Sequence, residues 1–449
     1  MLRRFLLLGL LFNAGCNDNV SQFIYEAQIV DGDGGNPVAG TDATTLTIGI
    51  AEGDLPLREL EFPITDGQFE ATLEFASFSS LTRLRVDMEG PTTELFTAPP
   101  AFVPSATSGY LRVVAAAPAS CVPVSFDEMQ APRAEFGMVQ TGTFALVVGG
   151  TTPDDEQVEF FDALEWESRL FLDDFSLSFL GETRVATVGE GQILVLPAAA
   201  TPFVFNMLDA SDRITQVNLH VGAGAQSALV SIRGVGAMVI GGESGGAARV
   251  GVSLVEPDGT VTSTSTRLSE PRAGATATAL GEDVLVVGGN AEGSAEILLA
   301  GGGVGEPIDG VADGIRRGGL LVGDGASRAL LIGGTDDAGA VRQDTLRFEG
   351  CPGACASGAG PSWTTARTRA ILPEYSALVV GGDDSRNVEE VRWDGSDVAI
   401  SPVVELSSVR AAAGAIVYES GAFVVSGGDD GSDIRGDSEF CVPNTLGAL

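Results

Sequence analysis

The chain contains no lysine and a single histidine, His220, among 449 residues. All 25 basic residues are therefore arginine, set against 61 Asp and Glu, for a formal net charge of −36. Such a balance repels the phosphates of nucleic acid and excludes DNA and RNA as partners. It suits a soluble monomer, or a partner that is cationic. One histidine cannot furnish a His-rich metal centre, and a Ser-His-Asp relay would have to be built on it. His220 lies in Gln216-Val-Asn-Leu-His-Val221, which alternates as a strand does, and reads as a structural residue. Aromatic residues make up only 6% of the chain, and long helix-period patterns are nearly missing. Past the first sixteen residues no apolar run exceeds the length of a strand, so no other segment is long enough to cross a membrane as a helix. Paired carboxylates are so common that no single pair points to catalysis. Neither a P-loop nor a dinucleotide-binding glycine pattern is present, because the Gly-rich runs end strands with no helix after them. Arg435-Gly-Asp437 spells an adhesion tripeptide, a match that chance supplies in a chain this rich in Gly, Asp and Arg. What is abundant is glycine, 60 residues of it, which points to many short strands and turns.

The N-terminus is a targeting segment. Arg3-Arg4 form a charged start, Phe5 to Phe12 an apolar run, and Asn13-Ala14-Gly15-Cys16 a small-residue close. This resembles a bacterial lipoprotein signal. The resemblance implies that residues 1–15 are removed, that Cys16 carries the lipid, and that residues 16–21 tether a protein to the cell envelope, at the outer membrane. The alternative is an ordinary secretory signal with an incidental Cys. With Cys16 set aside, Cys121, Cys351, Cys355 and Cys441 form an even set, able to make two disulfides in an oxidising compartment.

Residues 22–108 read as a separate small β-sandwich of the immunoglobulin-like kind. Phe23–Ile29 and Thr45–Ile50 alternate, Leu60–Ile64 and Phe69–Phe75 flank the turn Thr65-Asp-Gly-Gln68 as a hairpin, and Leu81–Val86 and Glu94–Phe96 follow. Asp31-Gly-Asp-Gly-Gly-Asn36 reads either as a Ca²⁺ loop or as a plain strand connection.

Residues 109–449 carry a repeat. An apolar strand ending on two glycines recurs at Gly149, Gly241, Gly288, Gly333, Gly381 and Gly427, and Gln192–Pro197 fills the one double-length gap with Leu196-Pro197 in place of the glycines. The resulting spacings of 47, 45, 47, 45, 48 and 46 residues define seven units. A period near 45 with four short strands per unit predicts propeller blades. An Arg stands 16 or 17 residues before the first glycine, at Arg133, Arg272, Arg317 and Arg410, and opens a small-residue strand such as Ala273–Leu280.

The strand-Gly-Gly phrase, Pro132-Arg133 and Pro271-Arg272, and Trp363 and Trp393 together resemble kelch repeats. The resemblance covers roughly residues 110–445 and implies an all-β, seven-bladed, kelch-like β-propeller after the sandwich. The last unit has room for only one strand past Gly428, around Asp437–Val442, so the N-terminal segment through Cys121–Val124 is expected to supply the missing outer strand. That register predicts a Cys121–Cys441 disulfide locking the ring, with Cys351–Cys355 as a local clip; a loop of over 300 residues would add about 4–5 kcal/mol.

Acids follow the glycines: Asp154, Asp155, Glu243, Glu292, Asp336, Asp337, Asp383, Asp384, Asp429 and Asp430. Alternating strand direction places these loops and the recurrent Arg on one face, as a ring of carboxylates interleaved with guanidinium groups. It reads either as a binding face for a cationic partner or Ca²⁺, or as turn chemistry with Arg–carboxylate pairs of about 0–1 kcal/mol each. No catalytic residue, cofactor or metal site is assigned. The expected function is a non-catalytic, envelope-anchored binding or scaffold protein for a protein or glycan, monomeric; the alternatives are an extracellular propeller hydrolase or lyase acting on a glycan, or an adhesin.

Overall fold

The computed structural model describes residues 23–444 apart from 32, 53–54, 70–71, 76–81, 98–109, 125–128, 142–143, 152–157, 163–166, 171–181, 199–200, 208–213, 220–225, 263–264, 312–315, 337, 364–366 and 419. Among these residues there are strands and no helix, so the protein is all-β. The signal, Cys16, the tether, His220, Asp154, Asp155 and Asp337 lie outside the described residues.

The N-terminal part has two sheets. One runs Arg58–Pro63, Thr45–Glu52, Thr82–Glu89, Glu94–Thr97, all antiparallel; the other runs Thr72–Phe75, Phe23–Val30, Tyr110–Val114. They share a core of Leu46, Ile48, Ile50, Leu73, Leu84, Val86 and Met88, the inward positions of alternating strands. Two expectations change here. The turn at Thr65–Gln68 forms, with Asp66 and Gly67 both at positive φ. Its flanking strands nevertheless part into different sheets, so it is a corner and not a hairpin. The domain boundary also moves: Tyr110–Val114, placed with the repeat by a boundary at 109, pairs in parallel with Phe23–Val30. Asp31 folds its own loop, accepting the backbone N–H groups of Asp33 (3.0 Å) and Gly35 (2.7 Å).

Seven further sheets follow at the period of the repeat. Their second strands are Phe144–Val148, Gln192–Pro197, Gly236–Ile240, Asp283–Val287, Ala329–Ile332, Leu378–Val380 and Phe423–Ser426. The last four of these are buried almost throughout, and alternation explains why their apolar runs are continuous. Val284 and Val286 pack on the sheet before, with Met238 and Ile240; Leu285 and Val287 pack on the sheet after, with Leu321 and Leu331. A strand covered on both faces needs apolar side chains at every position. The same arrangement joins each sheet to the next. The sixth and seventh share Val380, Val388, Ala415 and Phe423, and the seventh packs on the first through Ile416, Val424 and Phe440 against Ala145 and Phe161.

Three sheets depart from the run of four consecutive strands predicted for each unit. The third has six strands, with Val261–Thr262 and Arg267–Arg272 both paired to Ala247–Val255. The seventh takes its outer strand from the start of the repeat: Ser120–Val124 pairs with Ser438–Val442, and Cys121 stands directly opposite Cys441, to which it is disulfide-bonded. Cys351 and Cys355 form the second disulfide, within one loop of the fifth sheet. The sixth sheet has only Leu378–Val380, Asn387–Asp394 and Asp397–Glu405; where the others begin with an inner strand, it has a single bridge, Ile371 to Val380. The two parts of the chain are joined by packing, because Phe96, Val114 and Ala116 share a cluster with Val124, Tyr418, Phe440 and Val442.

The anchor glycines follow from crowding. A Cβ on Gly381, whose φ is +58°, would lie 2.3 Å from the carbonyl oxygen of Arg410 in the next sheet. Both the backbone conformation and the neighbour demand glycine there.

Candidate functional site

The recurrent arginines are interior, which corrects the expectation of guanidinium groups on an exposed face. Arg133, Arg272 and Arg410 are at most 1% exposed, and each pairs with a Glu that is fully buried: Glu159, Glu296 and Glu439. In the fifth sheet the buried residue is Arg316, paired with Asp344, whereas Arg317 is exposed. The sixth sheet has Arg367 with Glu389 at 3.0 Å. The arrangement repeats in detail. Arg272 donates from Nη1 to the Gly288 carbonyl and Arg410 to the Gly427 carbonyl, at 2.6 and 2.7 Å. The partner's second oxygen accepts the backbone N–H three residues before the Arg, from Gln130, Ser269 and Ser407 at 2.8, 2.7 and 2.6 Å. Each pair thus ties the entry of a sheet to its second and third strands. A buried charge is tolerated when it is paired and hydrogen-bonded, and each of these is paired, although Arg367 keeps its buried Nε without a hydrogen bond among the described residues. The sequence shows two of these acids plainly: Glu296 in Ala295–Leu298 and Glu439 in Ser438–Val442 are the single charges of their strands, whereas Glu159 shares its strand with Asp162 and Glu389 stands beside Glu390.

Three of the acids after the glycines, Asp336, Asp429 and Asp430, are engaged in their own turns. Asp336 closes its loop on the N–H groups of Ala338 and Ala340, at 2.9 and 2.8 Å. Asp430 is held well below the usual carboxylate range by the Ser432 hydroxyl first and then by the N–H groups of Asp433 and Ser432. Asp383 and Asp429 share Arg369, at 3.3 and 2.9 Å, a bridge from the sixth sheet to the seventh. Asp384 and Glu292 are exposed. Among the described residues no group of three His, Cys, Asp or Glu side chains could hold a metal ion. The bridge is half-exposed, so Arg369→Ala should lower stability by no more than about 1 kcal/mol, an effect that shrinks in ~1 M salt. Asp429 titrates below its ordinary value, chiefly through the Arg369 hydrogen bond. Its contribution is therefore present above the unfolded-state pKa and is lost as pH falls through the depressed folded value. Denaturant melts of the variant at neutral pH in low and high salt check the size and sign.

A cavity lies at the opposite end of the sheets. Gly414 pairs with Ser426 beside the glycines, while Val417 pairs with Phe423 at the far end, and the cavity is lined from that far end. It holds about 950 Å³ and is walled by five of the seven sheets: Gln140 from the first, Thr187 and Glu190 from the second, Ile232 and Arg233 from the third, Pro373–Leu378 from the sixth and Val417–Tyr418 from the seventh. Tyr418 is buried with no protein partner for its hydroxyl among the described residues, and burial pushes its phenol up. Across the cavity runs the segment that replaces the sixth inner strand. Glu374 accepts the Thr187 N–H at 3.0 Å and the Thr187 hydroxyl at 2.6 Å, and its other contact is the Ser231 hydroxyl. Tyr375 lies under the Arg233 guanidinium, 5.0 Å from it, and its phenol is raised by burial and then by Glu374. The signal in the sequence is Pro373-Glu-Tyr-Ser376, which puts a Pro where the inner strands of the other sheets, such as Gly137–Thr141 and Thr276–Leu280, have none.

No family model and no curated protein matches the sequence. Among solved structures, one described as the structure of YjhT is similar over 72% of this chain and 99% of that chain, with a TM-score of 0.43 and 10% identity.

Proposed function

We propose that the chain is a non-catalytic binding protein built on a seven-bladed, kelch-like propeller, whose ligand enters the mouth of the central channel. The reading of seven blades rests on the seven sheets packed in succession, with the seventh against the first. The observation that carries the binding role is the cavity of about 950 Å³ walled by five sheets. Its size is that of a small-molecule or sugar site, and its walls combine apolar side chains with polar groups such as Gln140, Thr187 and Arg233. The acidic loops at the other end supply turn structure, because most of their described carboxylates are already hydrogen-bonded within the chain. A protein or glycan presented at the envelope would be met by this mouth, with the lipid on Cys16 and the tether 16–21 holding the protein to the outer membrane.

A glycan-array and thermal-shift screen tests the binding role. Ligands found with the wild-type chain should be lost in Gln140→Trp, which fills the cavity, and kept in a variant carrying Asp384→Lys and Asp430→Lys. Ligands that ignore the filled cavity but fail with the altered acidic loops would return the site to the Gly-Gly face, and a screen without any ligand would count against the binding role. Labelled palmitate should be incorporated by the wild type and not by Cys16→Ser; equal labelling would remove the lipid anchor.

A further inference from the structure

We infer that the Pro373–Ser376 segment is a releasable strap across the cavity, and that the seat now holding the Glu374 carboxylate is a binding site for the carboxylate of an acidic ligand. This rests on the cavity being the binding site, and it adds both the ligand chemistry and the gate.

The seat is built for a carboxylate. One oxygen of Glu374 accepts the Thr187 backbone N–H and contacts the Ser231 hydroxyl, while the other accepts the Thr187 hydroxyl. Three donors from two sheets converge on one charged group, the kind of hydrogen bonding that favours the ionised form. Arg233 stands beside it, exposed, with no carboxylate paired to it among the described residues. A guanidinium lining the same cavity as three converging donors, in a chain of net charge −36, gives this part of the wall groups suited to an anion.

The occupant is weakly held by its own sheet. The other six sheets begin with an inner strand hydrogen-bonded along its length to the next, but this one has only the Ile371–Val380 bridge. Pro373 lacks an N–H to extend that pairing. Tyr375 has a φ of 55°, an unfavourable conformation for an aromatic residue, and its side chain is 55% exposed. Its described polar attachments to the far wall pass through Glu374 and Tyr375. A segment with strained backbone, an exposed ring and few ladder bonds belongs to the part of a fold that opens first. Release would leave the Thr187 and Ser231 donors free and widen the mouth between the second, third and sixth sheets.

The strap competes as a tethered ligand, so its effective concentration weakens any free carboxylate in the wild type. Titration calorimetry of acetate into the full chain tests this directly. Glu374→Ala should bind acetate at least tenfold more tightly than the wild type, and should ignore acetamide. Adding Ser231→Ala and Thr187→Val to Glu374→Ala should abolish that binding. In the wild type, saturating acetate should speed hydrogen exchange of the Ser376 amide, now bonded to the Pro373 carbonyl, at least tenfold, a readout that holds even if Glu374→Ala folds poorly. Equal acetate affinity in wild type and Glu374→Ala, binding indifferent to the two hydroxyls, or strap exchange unmoved by acetate would overturn the proposal. Such a failure leaves the cavity to be judged by the ligand screen, and a failed screen leaves the acetate result intact.

Discussion

Arg410→Ala should destabilise the protein by about 3–5 kcal/mol, the usual result of removing one partner from a buried ion pair. Arg410 is 0% exposed and donates to Glu439 at 2.7 Å, to the Gly427 and Asp437 carbonyls at 2.7 and 2.9 Å, and to the Asp437 carboxylate at 2.8 Å. Truncation leaves the buried Glu439 charge without its cation, and leaves the Gly427 carbonyl without this donor. The unpaired groups, more than the lost bonds, set the size of the effect. Replacing both partners, as Arg410→Met with Glu439→Leu, should cost less than Arg410→Ala alone, because no charge is stranded. Arg410→Lys should recover only part of the loss, since an ammonium cannot serve the side and the end of the slot together. The pH dependence has a definite sign. Burial pushes the Asp437 carboxyl up, but Arg435 and Arg410 outweigh it and hold the group below its ordinary value. Its stabilisation is therefore present above the unfolded-state pKa and disappears as pH falls through the folded one. Without Arg410 that acid-sensitive part should shrink, so the variant and wild type converge toward low pH. Urea melts at neutral pH and near pH 3 measure both statements. A loss below about 1 kcal/mol at neutral pH would mean that Arg410 is no more than a surface pair.

How much of this was legible depends on which interactions are local. The anchor strands could be read because a strand buried on both faces must be apolar at each position, as Val284-Leu-Val-Val287 is. The pairing of Ser120–Val124 with Ser438–Val442 was also legible, since the last unit is one strand short and register then sets Cys121 opposite Cys441. The side of a strand on which an isolated charge points is a different matter. Arg133 and Arg317 look alike in sequence, yet Arg133 is interior and Arg317 exposed, because in the fifth sheet the buried slot falls on Arg316. One residue of register reverses the direction of a side chain. Asp336, Asp384 and Asp430 do lie in loops, whereas Glu243 begins a short strand, and turn formation and ligand binding use the same carboxylates. Only hydrogen-bond partners separate the two readings, and Asp336 and Asp430 are occupied by their own loops. The strap was hidden for a third reason. Glu374 meets Thr187 and Ser231, 187 and 143 residues away, and no local pattern encodes such a contact. Pro373 marks the interruption of the inner strand but not its destination.

Removing the Cys121–Cys441 bridge should lower stability by about 4–5 kcal/mol, whereas removing Cys351–Cys355 should cost well under ~3 kcal/mol. The difference comes from the unfolded chain. The first bridge closes a loop with a separation of 320 residues, the second one of 4. A long closed loop denies the unfolded state far more conformations than a short one. The first bridge also sits where the fold has no covalent continuity. It joins the outer strand of the seventh sheet to the strand beside it, and that outer strand enters from the opposite end of the repeat. Without the bond, Ser120–Val124 is held by its backbone ladder and by Val122 and Val124 packed with Phe440 and Val442. An edge strand held in that way should open before any internal strand, and opening would expose the seventh sheet along Ser438–Val442. Two measurements follow from the same cause. Chemical denaturation of Cys121→Ala with Cys441→Ala should show the large shift in midpoint, and the same pair of changes at Cys351 and Cys355 the small one. Hydrogen exchange in the first variant should accelerate at Val122 and Val124 while Val424 and Val425, two strands inward, stay protected. Equal midpoints for the two double variants would show that the long bridge does not limit the unfolded chain, and uniform exchange across the sheet would show that the sheet opens as one unit with no weak edge.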